Sequence, residues 1–205
     1  MIDKSSFWNN VYSTKGETNV SWFQHNPEPS LEFIRRYAPD RSAAIIDIGG
    51  GASRLVDHLW ADGFHTLTVL DISSEALALA RARMGDYAGS IKWIVSDATK
   101  WQPDGVYDLW HDRAVFHFLT GRDDQSAYIQ NLKRALKSGG YLVIGTFALD
   151  GPEKCSGLPV MRHSSQTLQN VLGSEFELID SRTHDHQTPF QSTQNFQYCV
   201  FRRLS

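Results

Sequence analysis

A three-layer α/β sandwich is what this 205-residue sequence predicts, and three observations predict it. Short apolar runs alternate with helix-period stretches from residue 44 to residue 147, the pattern of parallel strands joined by covering helices. The first run, Ala44-Ile45-Ile46-Asp47-Ile48, stops at Gly49-Gly50-Gly51, as an interior parallel strand stops at a turn that opens a helix. Near the C-terminus, residues 176–179 and 196–201 form two strand-like runs with no helix between them, which makes the final pair antiparallel.

Taken in order, Phe7, Trp8, Val11 and Tyr12 recur at helical spacing, so residues 6–13 are expected to form a short amphipathic helix with an aromatic face. The loop 15–20 and Ser21-Trp22-Phe23-Gln24-His25 follow. Trp8 and Trp22, both ahead of the first core strand, either pack in the core or form a lid over a ligand site at the strand ends. Pro27 and Pro29 start a helix to about Tyr37 with Leu31, Phe33, Ile34 and Tyr37 inward. After the glycine turn, Leu55, Val56, Leu59 and Trp60 make the apolar stripe of a helix closed by Gly63. Strand two, residues 67–70, ends in Asp71. Ser73 caps a helix to Met84 that Gly85 closes, and Glu75 in its first turn suits the helix dipole. Residues 91–95 form strand three, with Asp97 just past its end, and residues 106–111 form strand four. Asp123 is expected to cap a helix with Tyr128, Ile129, Leu132 and Leu136 inward, ended by Lys137-Ser138-Gly139-Gly140. Past strand five, residues 147–159 are a long, turn-rich loop beside the strand ends. Ser164 caps a last helix carrying Leu168, Val171 and Leu172, closed by Gly173.

The glycine turn carries the functional information. Glycines tolerate positive φ and let a ligand lie against the backbone, while the next helix presents free N–H groups at the same place. Twenty residues after Gly51, Asp71 falls at the carboxyl edge of the neighbouring strand, placed to accept hydrogen bonds from ribose hydroxyls. A plain tight βα connection gives the same glycines with no ligand. A dinucleotide fingerprint needs a small residue three after Gly51, and Arg54 stands there. An NAD-type oxidoreductase is therefore disfavoured, and a nucleoside ligand without a pyrophosphate is favoured.

Asp47-Ile48-Gly49-Gly50-Gly51, with Asp71 at the end of the next strand, resembles the first motifs of the class I S-adenosylmethionine-dependent methyltransferases. Leu132-Lys133-Arg134-Ala135-Leu136-Lys137-Ser138-Gly139-Gly140-Tyr141-Leu142-Val143-Ile144 resembles the stretch before and within strand five of that superfamily, with Ser138 in place of a usual proline. The resemblance spans residues 44–147. It implies a Rossmann-like, seven-stranded, mostly parallel sheet with an antiparallel last strand, in one domain over residues 1–205 whose residues 1–38 are a helical lid region. It also implies S-adenosyl-L-methionine (SAM) as cofactor and methyl transfer as the activity. The cofactor-binding candidates are Asp47, Gly49, Gly50, Gly51, Asp71, Ile72, Asp97, Ala98 and Trp22. In the resemblance Asp97 accepts the adenine amino group and the Ala98 N–H meets a ring nitrogen.

Asp112-Arg113-Ala114 resembles the corresponding segment of thiopurine methyltransferase-like enzymes, which implies that Arg113 faces the acceptor. Protein-lysine methyltransferases of the same superfamily carry a similar aromatic N-terminus and acidic-basic pair. A small-molecule acceptor is expected, with a protein acceptor as the alternative. Asp112, His111 and His117 are the candidates for a general base where the acceptor needs one, and Arg113 completes the catalytic candidates. An Asp112–Arg113 ion pair with a purely structural role is the competing expectation, because desolvated charges need partners. A non-catalytic module that binds SAM or a partner on the same fold is a further alternative, since fold does not fix function.

Composition removes several classes. Apolar residues make up 41% and charged residues 21%, which places the chain among globular proteins of a size that buries its own core. A net charge of −3 without a basic block argues against nucleic acid held by backbone electrostatics. Cys155 and Cys199 are the two cysteines, far apart, and His111 and His117 come with no further ligands at metal spacing, so no metal and a reduced, cytoplasmic setting are expected. Met1-Ile2-Asp3-Lys4 lacks the apolar core of a signal peptide, and no run approaches the roughly 18 apolar residues that span a bilayer. No membrane role is expected, and nothing in the sequence fixes an oligomeric state.

Overall fold

Ile45, Ile46 and Ile48 are buried in β1 (Ile45–Ile48), which pairs in parallel with β2 (Leu67–Asp71) on one edge and β4 (Tyr107–Arg113) on the other. A strand flanked on both edges and covered on both faces has no polar side, which is why its sequence is nearly all isoleucine. The computed structural model describes residues 3–205, so the first two residues of the Met1–Lys4 stretch and of the 1–38 region lie outside the described residues. β3 (Lys92–Val95) pairs outside β2, and β5 (Leu136–Phe147) pairs with β4. A small hairpin of β6 (Lys154–Cys155) and β7 (Leu158–Pro159) precedes the long hairpin of β8 (Phe176–Gln187) and β9 (Thr193–Arg203). The seven-stranded sheet has the order β3-β2-β1-β4-β5-β9-β8, with β9 antiparallel to both its neighbours.

Side chains alternate across this sheet, so each strand feeds two apolar layers. Val69, Leu109, Val143 and Val200 meet α2 (Ser30–Tyr37), α3 (Leu55–Ala61) and α4 (Ser74–Met84) on one face. Ile46, Leu70, Trp110, Ile144 and Phe201 meet α5 (Arg122–Ala135) and α6 (Ser165–Leu172) on the other. α1 (Lys4–Lys15) crosses the start of α4, where Asn9 Oδ1 accepts from the Ser73 hydroxyl at 2.8 Å and the Ser5 hydroxyl donates to the Ile72 carbonyl at 3.1 Å. No helix among the described residues is long and apolar enough to cross a membrane.

Ser73 and Ser164 cap α4 and α6 through their side chains, as expected. Other boundaries move. α1 is longer than residues 6–13 because Asp3 caps it, accepting the Ser5 N–H at 3.1 Å. Gly121, not Asp123, stands at the N-cap of α5, with Asp123 and Asp124 in the first turn. α5 ends at Ala135 rather than at the glycines, because Leu136 already pairs with Tyr107 and residues 137–140 form a bulge in β5. The hairpin strands run far past 176–179 and 196–201, and residues 147–159 fold partly into β6 and β7.

The α5 face holds a buried polar chain: the Trp110 indole N–H donates to the Tyr128 hydroxyl at 2.8 Å, which donates to Asp112 Oδ2 at 2.5 Å. All three residues are fully buried, so removing the middle link leaves the Trp110 N–H without an acceptor and takes from Asp112 its shortest donor, with only backbone N–H groups remaining to it. Tyr128→Phe is expected to destabilise the fold by about 2–3 kcal/mol, read as a lower urea midpoint at unchanged slope.

Candidate active site

The glycine turn at the end of β1 is built by close approach. Gly51 has φ 48°, and a Cβ there would lie 2.9 Å from Asp71 Oδ2 and 3.1 Å from the Tyr12 hydroxyl. Gly49 has φ 67°, and a Cβ there would lie 2.0 Å from Val115 Cγ2. Both positions therefore combine a left-handed backbone with a neighbour that leaves no room for a side chain. Arg54, where a dinucleotide site needs a small residue, donates to Glu17 Oε1 at 2.7 Å, and Arg83 clamps the same Glu17 together with Asp57. The position is thus used to pin the 15–20 loop over the turn.

An open crevice of about 920 Å³, its solvent-filled mouth included, runs along the carboxyl ends of the strands where their order reverses between β1 and β4. Gly49, Asp71, Ile72, Asp97 and Ala98, from the ends of β1, β2 and β3, all line it. Asp71 Oδ1 accepts the Ser73 N–H at 2.7 Å. Burial pushes the Asp71 carboxyl up to about 7 against the pull of the backbone donors from Ser73, Ile72 and Gly51. Asp97 Oδ1 accepts from the Thr99 N–H at 2.9 Å and its hydroxyl at 2.7 Å, which fixes the carboxylate at the rim. Trp8, Tyr12 and Trp22 form the wall toward the N-terminus: the Trp22 indole N–H donates to the Tyr12 hydroxyl at 3.1 Å, and the Trp8 ring meets those of Trp22 and Phe118 edge-on at 5.6 and 5.3 Å.

A second, smaller crevice under Trp22 is bordered by Asp47, Gly49, Gly50 and His111. There the His111 ring spans from Asp47 Oδ1, 2.7 Å from Nδ1, to the Ser30 hydroxyl, 2.8 Å from Nε2. Both ring nitrogens are engaged, so His111 joins β1, β4 and α2 rather than standing free. Gly51 borders neither crevice; it backs onto Asp71 and Tyr12.

The four catalytic candidates are not brought together. β4 continues to Arg113, so residues 111, 112 and 113 alternate across the sheet. Asp112 points to the α5 face, where it also accepts the Val115 N–H at 2.9 Å, and burial pushes it up to about 6. His117 is buried, its Nδ1 accepting the Phe147 N–H at 3.4 Å, and burial ahead of the Arg113 charge holds it down to about 3. Neither Asp112 nor His117 lines a crevice; Arg113 lines both. The expected Asp112–Arg113 ion pair is absent among the described residues, because the two side chains leave opposite faces of the strand.

Sequence reasoning did not assign Tyr12, Phe147, Gln194 and Phe196 to the site, yet all four line the main crevice. Phe147 ends β5, so the rule that ligands meet strand carboxyl ends was enough to find it. Gln194 and Phe196 enter from the start of an antiparallel strand, where that rule gives no signal.

Residues 45–140 match the family described as "Methyltransferase domain". Nodulation protein S of Rhizobium tropici is 32% identical over 104 residues, 51% of this chain and 43% of that protein. The eEF1A lysine and N-terminal methyltransferase homolog of Drosophila melanogaster is 24% identical over 148 residues, 68% of this chain and 22% of that protein. The chain therefore spans less than half the length of these curated relatives. Among solved structures, the N-methyltransferase NodS of Bradyrhizobium japonicum WM9 in complex with S-adenosyl-l-homocysteine superimposes with a TM-score of 0.73 at 18% identity, covering 96% of this chain and 98% of that one. Residues 45–140, just under half of the chain, thus carry the sequence pattern of a methyltransferase domain, and the sheet order around them is the one that the resemblance to class I S-adenosylmethionine-dependent methyltransferases implies.

Proposed function

We propose that this chain transfers the methyl group of SAM to a small organic acceptor, with the cofactor held across the ends of β1, β2 and β3. One observation carries the reading: residues from three separate strand ends, Gly49, Asp71, Ile72, Asp97 and Ala98, line a single crevice. These residues fit the cofactor. Asp71 would hold the ribose hydroxyls, Asp97 and the Ala98 backbone the adenine, and Asp47 with the glycine turn the methionyl end. Bound there, SAM supplies a methyl group already activated by its sulfonium. The chain's own part is to align the acceptor and exclude water, which the walls of Trp8, Trp22, Phe118 and Phe147 support. His111 is engaged at both ring nitrogens and Asp112 is turned away, so the acceptor is expected to arrive already nucleophilic. Residues 3–38 act as the roof of one domain in this reading, and the two buried, unpaired thiols support a cytoplasmic setting.

The lining of the crevice by Lys4, Trp8 and Tyr12 of α1 and by Trp22 favours a small acceptor over a protein side chain, for which the likeness to the eEF1A methyltransferase homolog is the counterweight. Tritium-methyl SAM incubated with the protein and a cell extract, then separated into protein and small-molecule fractions, tests this. Label is expected in the small-molecule fraction. Label in the protein fraction overturns the choice of acceptor, and no release of S-adenosylhomocysteine (SAH) overturns methyl transfer in favour of a binding module.

A further inference from the structure

We propose that Arg113 anchors an anionic group, a carboxylate above all, on the methyl acceptor; this rests on the methyl-transfer reading of the crevice. Arg113 ends β4 with its side chain on the α2 face. Its Nε donates to the Tyr198 hydroxyl at 3.0 Å, its Nη1 donates to the Trp22 carbonyl at 2.9 Å, and its plane lies over the Phe196 ring with Cζ 4.8 Å from the centroid. Nη2 is buried and donates to nothing. The guanidinium is thus held rigidly by three contacts with one edge left over.

No carboxylate pairs with Arg113 among the described residues, whereas Arg35, Arg36, Arg54, Arg83, Arg162 and Arg182 all sit in ion pairs. The histidines and the cysteine on which its charge acts are pushed toward their neutral forms. Burial, and then the Arg113 charge, holds His117 down to about 3 and His186 down to about 4, while burial pushes the Cys155 thiol up to about 11. His184 is lowered by the same two causes in the same order. A guanidinium with no carboxylate in contact and a buried, unused donor is an incomplete site, because a buried donor costs free energy until it finds an acceptor. A carboxylate meets a guanidinium edge with charge-assisted hydrogen bonds, which a neutral amide carbonyl matches poorly.

The crevice divides by strand. Gly49, Asp71 and Asp97 come from the β1–β3 side, whereas Arg113, Phe147 and Phe196 come from β4, β5 and β9 across from it. The second half is the part left for the acceptor, and its aromatic walls suit a flat apolar body carrying the anion. Arg113 also borders the smaller crevice under the glycine turn, so the carboxylate of the cofactor's methionyl end is the other source of the same chemistry. The test separates the two.

Benzoate and its uncharged isostere benzamide serve as probes, titrated calorimetrically into the protein with and without SAH. Wild-type protein is expected to prefer benzoate by about tenfold or more. Arg113→Gln is expected to bring the preference to about one while SAH affinity stays within about threefold, and Arg113→Lys to keep a preference for benzoate. Equal or absent binding of both probes to wild type overturns the proposal, as does a preference that survives Arg113→Gln. A fall in SAH affinity of about tenfold in Arg113→Gln, with Arg113→Lys retaining it, overturns the proposal by giving the guanidinium to the cofactor's carboxylate. If Arg113→Gln does not fold, loss of the preference in Arg113→Lys overturns the proposal and its retention supports it. Failure of SAH to bind wild type, with the benzoate preference intact, supports the anion subsite and overturns the methyl-transfer reading instead.

Discussion

Gly51→Val is expected to weaken SAH binding by about 100-fold or more, on the order of 2.7 kcal/mol, while leaving a folded protein. The expectation combines two effects of different size. A branched residue at φ 48° costs about 1–2 kcal/mol of backbone strain, a minor part of the roughly 5–15 kcal/mol that holds a domain together. The larger effect falls on binding, since the new Cβ lies 2.9 Å from Asp71 Oδ2 and 3.1 Å from the Tyr12 hydroxyl, and both side chains line the crevice. Moving Asp71 removes the carboxylate assigned to the ribose, and moving Tyr12 releases the Trp22 indole. Gly139→Ala is the control. It has φ 77°, but a Cβ there would meet its nearest neighbour, Arg202 Nη2, at 3.8 Å, so it imposes strain far from the crevice. Calorimetry with SAH and urea unfolding on both variants separate the effects: Gly139→Ala is expected to lose stability alone, Gly51→Val to lose stability and affinity. Unchanged SAH affinity in Gly51→Val would remove the glycine turn from the cofactor site.

How far the sequence predicts this molecule depends on how local each signal is. The β1 turn, Asp71 and the caps Ser73 and Ser164 were legible because strand ends and helix starts are set by residues next to one another. The strand pattern also makes the last pair antiparallel. The hairpin extends past its apolar runs because β8 is only intermittently buried, so Ser181, Arg182 and Thr183 lie in a ladder that has no apolar alternation to announce it. β5 begins earlier than its apolar run for a different reason: Lys137-Ser138-Gly139-Gly140 has the composition of a helix terminus, yet Leu136 has already joined the sheet and the glycines serve a bulge. At the site, the error was of strand length. Asp112 and Arg113 look like loop residues, but they continue β4, and once in a strand the two-residue period sends one to Tyr128 and the other to the crevice. Partners such as Tyr198 for Arg113 and Ser30 for His111 are 85 and 81 positions away, which no local pattern encodes.

SAH affinity is expected to rise with pH up to about 7 and then level off, and Asp71→Asn is expected to abolish this dependence. The Asp71 carboxyl is pushed up to about 7 by burial, from an ordinary value of 3.8. A ribose hydroxyl donates to an ionised carboxylate and loses most of that interaction with the protonated acid, so binding draws on the ionised form. Below pH 7 the ligand must first displace a proton, and affinity is expected to fall toward about tenfold per pH unit. Asn at this position has no proton to displace, and at pH 8 its loss of charge is expected to weaken SAH by about 10- to 100-fold. Stability of the ligand-free protein runs the opposite way. The folded state holds its proton to a higher pH than the unfolded chain, so the contribution is present below pH 3.8, declines as pH rises through the interval to about 7, and is level above it. Asp112, pushed up to about 6, titrates in the same interval and affects stability in the same direction, but it lines neither crevice. The affinity profile therefore isolates Asp71 where the stability profile sums the two. Calorimetric titrations from pH 5.5 to 8 on wild type and Asp71→Asn read it directly, and a wild-type affinity flat across that range would show that the carboxylate takes no part in holding the ribose.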